Sequence, residues 1–445
     1  MSEVIAVERF LLNVRTDVAD CVDPRLFSAS GHVVGGVSVL WLSLGGVLAM
    51  RKYFVGWVAA IALSMPVAAS AGFSNMYVLG DSLSDNGNLY NWTDAPNPVT
   101  GGNPIPVTDF GSISPLYATG RFENGKSYSE LLWSGLQSAG HLAASGDLTP
   151  RGLKPWGPPA IDPNPPAGTN YAVGGARSRY HSFDVGAGLP PVGLPTPGSP
   201  GSALFSPFSL RGQFNQFVAD SGGVADPKAL FTVWSGSNDV GDVVKLYAAG
   251  KSSEGATRLT EAIQDIGFVL GGLVASGVDY LLVPNVPDLG LVPETNGNPL
   301  ASALATALSR AYDAALAGIL DTLSALNPDV TVYRFDSFGF LREVTASPGD
   351  FGFTNVKDPC LVGLFVSPPP TGPVSVCGNR DDYLFWDTIH PSARAHEFLA
   401  TRMLEAVPEP ATVLLVGIGL AAFGVRTRRS RQVATAHVAS VASVQ

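Results

Sequence analysis

Charge is scarce in this chain. Only 14% of its 445 residues are Asp, Glu, Lys or Arg, and the formal net charge is −10. There is no basic stripe and no interleaving of aromatic with basic residues, which excludes nucleic acid as a partner. Cysteine is scarcer, at three, and one of these, Cys21, falls in a segment read below as absent from the mature protein. Cys360 and Cys377 remain, about 17 residues apart with Gly and Pro between them. They suit either a disulfide in an oxidising compartment, worth about 3 kcal/mol by loop entropy, or two unpaired buried thiols. His141 and His181 have no Cys, Asp or Glu at ligand spacing, so no metal site is expected, and no cofactor motif is present. The Gly-x-Ser-x-Gly signature is also missing, which argues against the sharp nucleophile turn of an ordinary α/β-hydrolase.

What the chain has in quantity is apolar side chains, at 46%, together with 50 Gly and 35 Pro. The first is ample for a core, and the second requires much chain in loops. Pro/Gly-rich stretches at 92–106, 153–166 and 186–201 read as loops inside one domain, since chemically informative blocks lie on both sides of each. Helix periodicity is clearest at Leu300, Leu304, Leu308, Tyr312, Leu316 and Leu320, which form one apolar stripe and are read as core. A second amphipathic helix is predicted over 257–276, followed by a strand at 278–283, and another strand is predicted at 330–335. Pro391 is a good first helical residue and is expected to open the last helix. His396 within that helix reads as a surface or packing residue, and Trp234 and Phe385 as core. Strands alternating with helices imply a parallel sheet covered on both faces, with ligands at the carboxyl ends of the strands. No internal repeat is visible.

Four short blocks carry the chemistry. Residues 77–88 are an apolar strand that breaks at Gly80 and delivers Ser82 at the start of a polar turn, a rigid mounting for a nucleophile that needs a nearby base. In residues 170–177, paired Gly174 and Gly175 let a backbone N–H approach a ligand without a Cβ in the way. Residues 233–239 form a second strand end, where the Asn238 side chain can aim its NH2 at a developing oxyanion. In residues 387–391, Asp387 precedes His390 by three positions. There a carboxylate can hold the imidazole tautomer while the ring takes the serine proton.

In this order and form the blocks resemble the GDSL, or SGNH, hydrolase family, over roughly residues 73 to 407. The resemblance implies a three-layer α/β/α fold of flavodoxin-like type with a mainly parallel sheet. It also implies Ser82 as nucleophile, Asp387 and His390 completing the triad, and Gly175 and Asn238 as oxyanion donors with the Ser82 N–H. Gly174 is the alternative glycine. The extended first block, Gly-Asp-Ser-Leu-Ser-Asp-Asn-Gly-Asn, looks like the branch that contains bacterial lipase-like enzymes and plant lipases.

Both ends read as processing signals. Met50-Arg51-Lys52, an apolar run over 53–67 and Ala68-Ala69-Ser70-Ala71 have the three regions of a secretory signal, with cleavage expected after Ala71. That makes 50–71 the signal peptide, puts the start at Met50 and leaves 1–49 as a misassigned extension. The competing reading keeps 1–49, with a membrane span at 33–48 that is short and interrupted by four glycines. At the other end, Val407-Pro408-Glu409-Pro410, an apolar run over 411–425 and Arg426, Arg428, Arg429 and Arg431 resemble the PEP-CTERM sorting signal of Gram-negative bacteria. The resemblance implies transient membrane anchoring through a transmembrane helix, cleavage by an exosortase-type enzyme and company with exopolysaccharide. A tail, 432–445, departs from that pattern, and a permanent single-span anchor is the alternative. The expectation is therefore an exported hydrolase domain over 72–406, followed by the sorting signal over 407–431. It would cleave carboxylic esters of lipids, or of acylated sugars, at the cell surface or in the extracellular matrix. An inactive surface matrix protein is the reading from another class, and the presence of all five site residues speaks against it.

Overall fold

The structure is a computed structural model, and it describes residues 72–94, 104–109, 112, 114–152, 168–180, 208–363 and 373–407. The expected extension 1–49 and expected export signal 50–71, the apolar run 411–425 and the tail 432–445 lie outside these residues, as does most of each Pro/Gly-rich stretch. Among the described residues no helix is long and apolar enough to cross a membrane.

The main sheet is built from four short runs of strand-forming residues that pair in parallel as β1 (Met76–Gly80), β2 (Leu230–Trp234), β3 (Tyr280–Pro284) and β4 (Thr331–Phe335), neighbours in that order. Side chains alternate between the two faces of a strand. Accordingly Met76, Val78, Leu230, Trp234 and Leu282 enter one core, while Leu79, Phe231, Val233, Leu281 and Val283 enter another. A sheet with two apolar faces has to be covered twice.

The α-helices of the described residues are, in chain order, α1 (Asn88–Asp94), α2 (Tyr128–Ser138), α3 (Leu210–Ser221), α4 (Ser237–Ala248), α5 (Ser252–Ala275), α6 (Pro293–Asn296), α7 (Pro299–Leu326), α8 (Ser337–Ala346) and α9 (Ala393–Ala406). Apolar stripes of α3, α4, α5 and α7 pack on one face, and those of α2, α8 and α9 on the other. This is the expected three-layer α/β/α arrangement, and residues 73–407 fall in one compact unit.

Backbone of residues 169–173 lies along the other edge of β1. Val78 N–H donates to Thr169 O at 3.0 Å, Tyr171 N–H to Val78 O at 2.8 Å and Val173 N–H to Gly80 O at 3.2 Å. This segment falls between β1 and β2 in sequence, so the chain first steps to one side of β1 and then returns to build the rest of the sheet on the other. The reversal opens a crevice at the carboxyl end of β1, the place where open α/β sheets bind ligands.

Local signals explain where elements begin. α7 starts where the Asn298 side chain accepts from Leu300 N–H and Ala301 N–H, with Pro299 in the first turn. Leu308, Tyr312, Leu316 and Leu320 are buried as expected, each such Leu worth about 1.5–3 kcal/mol. Leu300 does not belong to that stripe. It lies in the first turn beside its cap and is 68% exposed, so the buried face begins later, at Ala305. The second predicted helix starts earlier than expected, at Ser252. The last helix starts later, because the Ser392 hydroxyl caps it by accepting from Ala395 N–H and Pro391 instead bridges to Phe385 outside it. Cys360 and Cys377 form a disulfide, with Cα atoms 4.9 Å apart. It packs with Leu116, Tyr117 and Trp386 in a small cluster behind the loop that carries Asp387.

Candidate active site

The carboxyl end of β1 sets the first group. Gly80 ends the strand, Asp81 Oδ1 accepts from Leu83 N–H at 3.1 Å, and Asp81 O accepts from the N–H groups of Ser84 and Asp85. This tight turn holds Ser82 with 6% of its surface exposed. From the other end of the chain, a hydrogen bond from Trp386 N–H to His390 O closes the loop of the fourth block. His390 Nε2 lies 2.8 Å from Ser82 Oγ, and His390 Nδ1 lies 2.7 Å from Asp387 Oδ2. The three side chains therefore stand in line, bridging 308 positions of sequence.

Asp387 is fully buried and its carboxylate is saturated. Oδ1 accepts from Ile389 N–H at 2.9 Å and His390 N–H at 2.7 Å, while Oδ2 accepts from the Tyr117 hydroxyl at 2.8 Å besides His390. Burial pushes this carboxyl up. The charge and hydrogen bond of His390, with the two backbone N–H groups, outweigh burial and leave it below the ordinary aspartate value. A side chain held ionised in this way fixes the Nδ1–H tautomer of His390 and leaves Nε2 to accept the serine proton.

The expected oxyanion groups lie in the wall of a shared cavity. Gly174, Gly175 and Asn238 line one cavity with Ser82 and His390. Gly174 N–H is committed to Asp85 Oδ2 at 2.8 Å, and a Cβ on Gly174 would strike the Phe122 ring at 2.0 Å. Its glycine is required by packing. Gly175 has φ of 77°, a backbone state that L side chains rarely adopt. Asn238 lies in the first turn of α4. Its Nδ2 donates to Ala176 O at 3.0 Å and faces Asp81 Oδ2 at 3.4 Å. The second contact is long enough to yield to a stronger acceptor. Burial pushes the Asp81 carboxyl up to about 6, against Leu83 N–H and the charges of His390 and Arg177.

The cavity measures about 670 Å³ and is mainly apolar away from these groups, with Leu89, Phe122, Val244, Leu289, Phe340 and Leu341 among its walls. Among the described residues, no group of three or more His, Cys, Asp or Glu is placed to hold a metal ion.

Residues 76–403 match the sequence profile of the GDSL-like lipase/acylhydrolase family. The chain belongs to that family. Two GDSL esterase/lipases of Arabidopsis thaliana are among its relatives. One is 22% identical over 377 residues, covering 79% of this chain and 92% of its own, and the other is 27% identical over 351 residues, covering 74% and 86%. A solved acetylxylan esterase from Geobacillus stearothermophilus, a catalytic mutant, aligns with 76% of this chain and 95% of its own at 11% identity and a TM-score of 0.36. Residues 406–429 match the PEP-CTERM protein-sorting motif, which marks this GDSL hydrolase for export in a Gram-negative cell. Its activity is carboxylic ester hydrolysis.

Several groups of this GDSL site carry no signal in the sequence. Arg177 makes a two-pronged ion pair with buried Asp242 on α4, at 2.9 Å for each prong, and its Nη1 donates to Gly175 O. Asp239 accepts from both the N–H and the hydroxyl of Ser178. These contacts tie the glycine block to the asparagine block. His396, expected at the surface or in packing, is fully buried and polar-bonded: its Nδ1 accepts from Tyr128 N–H at 2.9 Å. Burial first, and the charge of His390 second, push its pKa down to about 3, so it stays neutral. Trp234 is core as expected, but it also lines the cavity and donates from Nε1 to Asn285 O.

Proposed function

We propose that this exported GDSL esterase attacks its substrate with Ser82 and takes esters whose acyl chain is of medium to long length. The observation that carries the reading is the continuous line Ser82 Oγ, His390 Nε2, His390 Nδ1, Asp387 Oδ2, with steps of 2.8 and 2.7 Å. In this mechanism His390 takes the Ser82 proton as Oγ bonds to the ester carbonyl carbon. The resulting oxyanion is met by Asn238 Nδ2 and the N–H groups of Gly175 and Ser82. His390 then gives the proton to the leaving alcohol, and the acyl-enzyme is hydrolysed by water activated in the same way. The intact relay and oxyanion groups support an active enzyme over a matrix protein that merely keeps the fold.

The acyl preference rests on the cavity. An acetyl group would leave most of a 670 Å³ apolar chamber in contact with water, whereas an alkyl chain would fill it. Each methylene buried is worth about 0.8 kcal/mol, close to a fourfold gain in kcat/KM. Along p-nitrophenyl esters from acetate to palmitate, kcat/KM should rise at least about 100-fold by octanoate before levelling. If acetate were the best substrate, the lipid reading would give way to O-acetyl sugar esters.

Asn238 separates catalysis from binding. A single oxyanion donor is typically worth about 2.7–4 kcal/mol, so Asn238→Ala should lose roughly 100-fold to 1,000-fold in kcat with little change in KM. A mutant that loses melting temperature yet keeps near-normal kcat per folded molecule would remove Asn238 from the oxyanion hole.

At the C-terminus, the proposed course is brief anchoring through the apolar run 411–425 and cleavage by an exosortase-type enzyme, with release to the cell surface or matrix. The proposed mature domain begins at Gly72, after signal cleavage. Secretion from a gene starting at Met50 tests the N-terminal reading.

A further inference from the structure

Tyr117 is buried to 1% exposure and is 270 positions from the aspartate it touches. Its hydroxyl is the fourth donor on a carboxylate that has room for about four. A protonated Asp387 would need an acceptor for its own hydrogen, and every group on that carboxylate is a donor in the arrangement seen. Two of the four are backbone N–H groups that can do nothing else, and a third is the His390 ring.

The ring carrying that hydroxyl is fixed from several sides. It packs edge-on to Trp386 at 6.4 Å, next to Leu116 and the Cys360–Cys377 disulfide. Backbone bonds on both flanks, Leu116 N–H to Thr108 O and Ala118 N–H to Glu123 O, hold the segment. These restraints hold the hydroxyl against Asp387 Oδ2, to which it donates at 2.8 Å.

The geometry points to Tyr117 as a positioning residue that keeps Asp387 a pure acceptor and so keeps the proton on His390 Nδ1 when the imidazolium forms during the reaction. The inference rests on the reading of Asp387 and His390 as the working pair. Its physical basis is competition for Oδ2. A lone pair already engaged by the tyrosine makes that oxygen a weaker base, and the proton shared with Nδ1 stays on nitrogen. Remove the hydroxyl and Oδ2 becomes more basic. The aspartate then attracts the imidazolium proton more strongly, and the neutral imidazole that must act as base becomes rarer at a given pH.

Among the described residues, the titratable groups that interact electrostatically with His390 include Asp81 at the end of β1, itself acted on by Arg177, and His396 on α9. Asp81 titrates in the same pH range in wild type and variant, so the informative quantity is the difference between the two profiles.

The experiment compares wild type, Tyr117→Phe, Asp387→Asn and the double variant on one p-nitrophenyl ester, with rates normalised to sites titrated by a fluorophosphonate. Tyr117→Phe should lower kcat about tenfold with KM nearly constant, and should move the acid limb of kcat/KM upward by about one pH unit. In the Asp387→Asn background the same change should alter kcat by less than about threefold, because the group it acts through is gone. A Tyr117→Phe enzyme with normal kcat and an unmoved limb, beside a crippled Asp387→Asn, overturns the proposal alone. So does an equal loss in both backgrounds, which would make Tyr117 a packing residue. Near-normal activity of Asp387→Asn would bring down the triad reading and this inference with it.

Discussion

Ser82→Ala should abolish ester hydrolysis, with kcat falling by about a million-fold, while the protein keeps its fold and melting temperature. The change removes one oxygen whose place in the structure is opposite His390 Nε2 and which sits in the cavity, 6% exposed as a residue. The turn that carries it is held by Asp81, through Leu83 N–H and the N–H groups of Ser84 and Asp85, and none of these bonds uses the serine side chain. Alanine therefore fits the same backbone. What is lost is the group proposed to form the acyl-enzyme, and with it the two-step route to the product. A residue of catalysis, about 1,000-fold to 10,000-fold over water, can survive from the oxyanion donors and binding. A fluorophosphonate probe should label the wild type and leave Ser82→Ala untouched. Equal labelling of both, or a kcat within tenfold of wild type, would place the nucleophile elsewhere.

The parts of this site that could be read from sequence are those written locally. Ser82, Asn238 and the Asp387–His390 pair each follow an apolar run and a turn within about ten residues, so strand, turn and chemistry arrive together in one short string. The alternation of strands with helices carried the architecture for the same reason. The parts that could not be read depend on what lies opposite in space. Nothing near Tyr117 marks it as different from any other buried tyrosine, since its partner is supplied by a loop 270 positions away. Arg177 and Asp242 are 65 positions apart, and nothing in the string pairs them. His396 has helical spacing that suits a surface as well as a core, and only the approach of Tyr128 N–H, from a helix 268 positions earlier, decides it. The start of α9 turned on a competition the sequence leaves open, with Pro391 and Ser392 both acceptable near a helix start. The exposed Leu300 shows the same limit, because periodicity continues to the end of a helix whether or not a neighbour is there to cover it.

Asp387→Asn should lower kcat by about 10,000-fold, and the hydrogen bonds around this carboxylate say why. An amide of the same shape offers one oxygen and one NH2 to four donors. If the oxygen takes the Oδ1 place, it satisfies Ile389 N–H and His390 N–H, but the NH2 then faces His390 Nδ1. That nitrogen must accept, so the ring's hydrogen moves to Nε2 and the serine proton has nowhere to go. If the oxygen instead takes the Oδ2 place, the tautomer is right, but the NH2 is pressed against two backbone N–H groups with no partner for any of the three. Leaving buried donors unsatisfied costs about 1–3 kcal/mol each, so the first orientation wins and activity is lost. The Tyr117 hydroxyl helps that outcome, since it can turn to accept from the amide. Stability should respond to pH with a defined sign. The folded carboxyl sits below its ordinary value, so it contributes stability that is complete above about pH 4 and is lost as pH falls through the folded value. The melting temperature of Asp387→Asn should therefore trail wild type at pH 7, with a gap that narrows as the pH falls below about 4. An asparagine variant that hydrolyses ester within tenfold of wild type, with a melting curve that keeps a constant offset across that range, would show that Asp387 neither orients His390 nor is ionised in the folded protein.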